Sequence, residues 1–118
     1  MNKEELKKVL DDLISKREKA EHKMLDLSRE ASALDVVVKQ KENSTKLHVY
    51  SLTNDGKKVF TNDTSRKAEV EAILGRDEEH QRRLARINKC KTDSEDLVIY
   101  MNYCKGMFRK WEVLSRWE

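Results

Sequence analysis

Apolar side chains recur at alternating steps of four and three along the first forty residues: Leu6, Leu10, Leu13, Ala20, Met24, Leu27, Ala31, Leu34 and Val38. Arg17 is the one position in this series that is not apolar. A 3.5-residue average period keeps a narrow stripe facing one neighbour, so the pattern predicts a long helix that supercoils against a second one. Charged residues such as Glu18, Lys19, Glu21 and Lys23 fill its flanks. The first long helix is assigned to residues 1–42.

The period fades after Val38, and two readings of residues 43–63 stand side by side. In one, the first helix runs on to about residue 53 and a loop follows. In the other, the alternation over 47–61, broken by Asn54-Asp55-Gly56, forms a β-hairpin with a tight turn. An isolated hairpin is marginal in water, which favours the helix. Asn62-Asp63-Thr64 is then an N-cap cluster for a short helix over 64–75, with Gly75 as a left-handed stop. Asp77 caps a second long helix over 77–117, in which Glu78 and Glu79 suit the positive end of the dipole. Its seam runs through Leu84, Ile87, Cys90, Ser94, Leu97, Met101, Cys104, Phe108 and Trp111.

The fold expected is all-α: an antiparallel helical hairpin or coiled coil with a short middle helix, residues 1–118 forming one elongated helical domain. Tyr100, Met107 and Leu114, lying beside Leu97, Met101, Cys104, Phe108 and Trp111, widen the apolar face of the last helix to an arc of about 160° at 100° per residue. One antiparallel neighbour cannot cover so wide an arc. Either the short middle helix folds back on it, with Ile73, Leu74 and the segment 49–60 as cover, or a second copy docks there. The second is the preferred reading, so Tyr100, Met107, Trp111 and Leu114 are expected to line an oligomer interface, with a homodimer closing as a four-helix bundle.

Composition narrows the function classes. Of 118 residues 40% are charged and 37% hydrophobic, with three glycines and no proline. A β-sandwich rich in Gly and Pro turns loses ground, and so does a fold built on a glycine-rich phosphate loop. The formal net charge of +3 is too small to read as a general nucleic-acid or membrane signature. There is no apolar run long enough to span a bilayer and no signal-peptide order at the N-terminus, so the expectation is a cytoplasmic protein. Cys90 and Cys104 would lie about 21 Å apart on one helix, beyond disulfide reach, and read as reduced seam fillers. His22, His48 and His80 form no ligand-spaced pair, so no metal or other cofactor is expected. Neither a nucleophile elbow nor a paired-carboxylate cleft is legible, which argues against an enzyme.

Two surface features remain. Arg82, Arg83, Arg86, Lys89 and Lys91 form a basic row without an acid among them. Such a row binds phosphates or an acidic protein surface, or is a solvated face paired with acids on the opposite arm; the pairing is the preferred reading. The C-terminal stretch ends in Trp117, outside the arc, a candidate anchor for a protein partner. Three functions follow in order: a non-catalytic protein that binds another protein; a nucleic-acid-associated factor using Arg82, Arg83, Arg86 and Lys89 with Lys57 and Lys58; and an oligomerisation adaptor.

The stretch from Thr64 to Leu74, followed by Asp77-Glu78-Glu79-His80 and a long helix, resembles small coiled-coil proteins encoded by phages and prophages. In those, two long helices bracket a short capped one, and the layout corresponds over the whole chain. The resemblance implies an accessory or inhibitor protein that acts by binding a host or phage protein, beside recombination or replication functions. It carries over no individual residue.

Overall fold

The computed structural model describes residues 2–117 except Asp55 and Thr61, and at Thr53, Asn54 and Trp117 it describes the backbone alone. The chain is an all-α helical hairpin. Helix α1 spans Lys3–Ser51, α2 spans Asp63–Arg76 and α3 spans Glu78–Trp117. Between α1 and α2, β1 (Thr53–Asn54) pairs antiparallel with β2 (Lys57–Lys58), Thr53 opposite Lys58 and Asn54 opposite Lys57.

The chain divides by its packing into two compact units. One comprises Met1–Arg29 with Cys90–Glu118, the other Glu30–Lys89. In the first unit Leu6 shares a groove with Ser115, Leu13 with Phe108, and Ala20 with Tyr100. In the second, Glu30 meets Arg86 and Lys41 meets Asp77. Numbers rise along α1 as they fall along α3, so the pairing within each unit is antiparallel.

The cores follow the heptad seams. Leu6, Ala20, Leu27, Cys90 and Cys104 are buried in the first unit, and Val38, Val49 and Val70 in the second. Each fully buried aliphatic side chain contributes about 1.5–3 kcal/mol relative to exposure. The second core also holds two polar groups, Thr45 and His80. The Thr45 hydroxyl donates to the Lys41 carbonyl at 2.8 Å, which meets its need for a partner. Nδ1 of His80 has none.

Helix α1 runs on past residue 42 to Ser51, as in the favoured reading that carried it to about residue 53. The polar run Asn43-Ser44-Thr45 weakens helix propensity because its side chains compete for the backbone. Here the Ser44 hydroxyl donates to the Lys41 carbonyl at 3.1 Å, while Thr45 and Val49 are buried. Burial of those two side chains outweighs the propensity. Of the alternative hairpin over 47–61, a two-residue ladder forms, closed by Val59 N–H donating to the Leu52 carbonyl at 3.0 Å. Gly56 takes φ 76° in its turn, a conformation cheap only for glycine.

Asn62 caps α2, its side-chain oxygen accepting from the Ser65 N–H at 2.8 Å. Arg66 lies 5.1 Å over the Tyr50 ring and donates to the Phe60 carbonyl, tying the start of α2 to the end of α1. Gly75 is not the stop that the sequence suggests. The helix continues through it to Arg76 and ends at Asp77, whose extended backbone (φ −81°, ψ 99°) sends its N–H to the Leu74 carbonyl. The left-handed cap is unnecessary because Gln81 also donates to that carbonyl, at 3.0 Å.

Asp77 serves both helices, since its carboxylate accepts the His80 N–H at 3.0 Å at the start of α3. That hydrogen bond, with Lys41 at 3.5 Å, holds its carboxyl below the usual aspartate range. A depressed carboxyl stabilises the fold above its unfolded pKa, and the contribution fades as pH falls through the folded one. Asp77→Asn is therefore expected to flatten the acid limb of the stability profile between about pH 5 and 3. Urea midpoints measured across that window check this, an unchanged slope being the contrary result.

Candidate protein-binding groove

The departure from apolar spacing at Arg17 has a structural consequence. A guanidinium cannot sit dry in a seam without a partner, and Arg17 turns outward to Glu21, its Nε 3.2 Å from the carboxylate. The facing residue on α3 is Cys104, a small side chain, and a full turn further on Phe108 is only half-buried. Between them Leu13, Ile14, Arg17, Cys104, Lys105, Phe108, Arg109 and Glu112 enclose a groove of about 270 Å³.

A second groove of about 390 Å³ adjoins it, lined by Lys3, Leu6, Lys7, Leu10, Asp11, Ile14, Phe108 and Ser115. Ile14 and Phe108 belong to both. The joined floor is apolar: Leu6, Leu10, Leu13, Ile14 and Phe108. The rim carries Lys3, Lys7, Arg17, Lys105 and Arg109 against Asp11 and Glu112, an excess of basic groups. Glu112 is further engaged by Arg116, 3.3 Å away. A hydrophobic trough with a cationic rim suits an amphipathic segment whose apolar face is bordered by acids.

On the other side of the same unit, Lys16, Lys19, Ala20, Lys23, Leu97 and Tyr100 line a shallower groove of about 230 Å³. Lys16 is held 2.8 Å from Asp12, which raises its pKa. The Tyr100 phenol is raised mainly by its hydrogen bond with Cys104, and further by desolvation.

The basic row is interleaved with acids. Arg82 lies 3.6 Å from Glu78 and Arg83 2.8 Å from Glu79, each one turn earlier on α3. Arg86 meets Glu30 on α1 through two nitrogens, at 2.6 and 2.7 Å. Lys89, also engaged, is exposed on the same helix. Lys57 and Lys58 lie exposed on β2. These lie in the second unit and the groove in the first. The side chain of Trp117 lies outside the described residues.

Of the expected interface residues, Met107 and Trp111 are half-buried, while Tyr100 and Leu114 remain exposed. Ile99 and Tyr103 extend this apolar surface at 68% and 61% exposure. The spacing of the arc did not include them. Lys105 and Arg109 were also missed as rim residues, since only the register against α1 brings them beside Ile14.

Among the described residues no group of three His, Cys, Asp or Glu side chains is placed to hold a metal ion, and no helix is long and apolar enough to cross a membrane. The arrangement defines a helical hairpin with a lateral groove. No family model, curated protein or solved structure matches the chain.

Proposed function

We propose that the protein acts without catalysis, by binding a partner protein that lays an acid-bordered amphipathic segment into the groove of the first unit. The observation that carries this reading is the continuous apolar floor from Leu6 to Phe108 beneath five basic rim residues. Apolar anchors in such a trough supply affinity, and the rim supplies orientation and on-rate. An accessory or inhibitor protein of the phage type, resident in the cytoplasm, accords with this mode of action. That refinement rests on the sequence resemblance. The nucleic-acid alternative finds less support, since Arg82, Arg83 and Arg86 each stand beside a carboxylate that phosphates would have to displace.

The test is affinity capture from host lysate, followed by titration of the purified partner. Lys105→Glu/Arg109→Glu is expected to weaken binding at least tenfold, and Arg82→Glu/Arg83→Glu to leave it within about twofold. A gel shift on DNA or RNA that is lost on changing Arg82 and Arg83, with a steep salt dependence and no effect from Lys105 or Arg109, would overturn the proposal.

A further inference from the structure

The outer face of α1 in the second unit carries a second seam. Ala33, Val36, Gln40, Asn43, Leu47 and Tyr50 follow steps of three and four, and all six are exposed, Tyr50 at the end of the stripe with Arg66 over its ring. Val36 is 56% and Leu47 73% exposed, although Val38 and Val49 nearby are buried. The stripe bears no charge over about 27 Å, in a chain 40% charged. Within it, two amides are bracketed by apolar pairs.

We propose that this stripe is a dimer seam, occupied by the same stripe of a second copy running in the same direction and in register. Three features select that occupant. A wholly apolar helix would leave Gln40 and Asn43 without partners, whereas a second copy brings each amide its own donor and acceptor. The bracketing residues then meet their equivalents, Val36 on Val36 and Leu47 on Leu47. Charge decides the direction. Lys39 and Lys46 flank one side of the stripe and Val37, Ser44 and Ser51 the other. Parallel coiled-coil pairing sets one flank against the opposite flank, so the lysines face serines. Antiparallel pairing sets each flank against itself and brings Lys39, whose ammonium is 2.9 Å from Asp35, toward the second copy's Lys46, so that the lysines repel or the Asp35 pairing is disturbed. A seam of this length makes a small interface, and the dimer is correspondingly weak.

The inference goes beyond the groove reading and is independent of it, since the stripe lies in one unit and the groove in the other. Light scattering of the full chain at about 100 µM should show dimer, and Val36→Glu/Leu47→Glu should lower the dimer fraction at least tenfold. Because both side chains are exposed, the helix content of that variant should match the parent by circular dichroism. Under mild oxidation, Asn43→Cys should join chain to chain while the parent does not, as its two thiols are buried. A monomeric parent, a dimer indifferent to Val36 and Leu47, or an Asn43→Cys dimer that resists cross-linking would each overturn the proposal.

Discussion

Val49→Asp is expected to unfold the second unit, or to lower its stability by about 3–5 kcal/mol, a large part of the total for a small domain. Val49 is 1% exposed, so an aspartate there is either a buried charge without a counterion or an acid forced to keep its proton. Leu47→Asp, two residues away and 73% exposed, is expected to change stability by less than about 0.5 kcal/mol at dilutions where the chain is monomeric. The contrast also separates the two readings of this stretch. Residues two apart share a face in a strand and lie on nearly opposite faces in a helix. Urea unfolding followed by far-UV circular dichroism measures both variants. Equal costs at the two positions would mean that the segment is not the helix described.

Arg17→Leu is expected to act in the opposite direction. A leucine at that point of the seam needs no excursion to Glu21 and can pack between Leu13 and Cys104. Burial of its side chain stabilises the first unit by about 1.5–2 kcal/mol. Thermal unfolding should shift upward by several degrees. The same side chain fills part of the 270 Å³ groove and removes one of its rim cations. Partner binding should therefore fall by at least tenfold as stability rises, a trade between function and stability of a common kind. A variant that is more stable and still binds fully would show that the groove is not where the partner sits.

The architecture was largely legible because both long seams are periodic over many turns, and a period that long has few structural interpretations. Local competition was harder to read. Asn43, Ser44 and Thr45 look like a break until Thr45 and Val49 are seen to be buried in the second unit. Gly75 looks like a stop until Gln81 supplies the donor that a left-handed cap would have given to Leu74. For the groove, the sequence offered the anomaly at Arg17 without its consequence. Whether a polar residue in a seam leaves a gap depends on what faces it, and Cys104 and Phe108 lie about ninety positions away in the chain. The basic row was legible as charge. Its partners on the same helix, Glu78 and Glu79, were identified only as dipole-stabilising residues, and Glu30 is reached only through the fold.

The placement of sulfur has a practical consequence. Cys90 and Cys104 are sealed in the first unit, and the second has no cysteine. A thiol-reactive dye can enter only when the helices of the first unit part, so its rate of uptake times the breathing of that half alone. Compared with a probe of whole-chain helicity, it would reveal whether the halves loosen together or in turn, without adding a reporter to the protein.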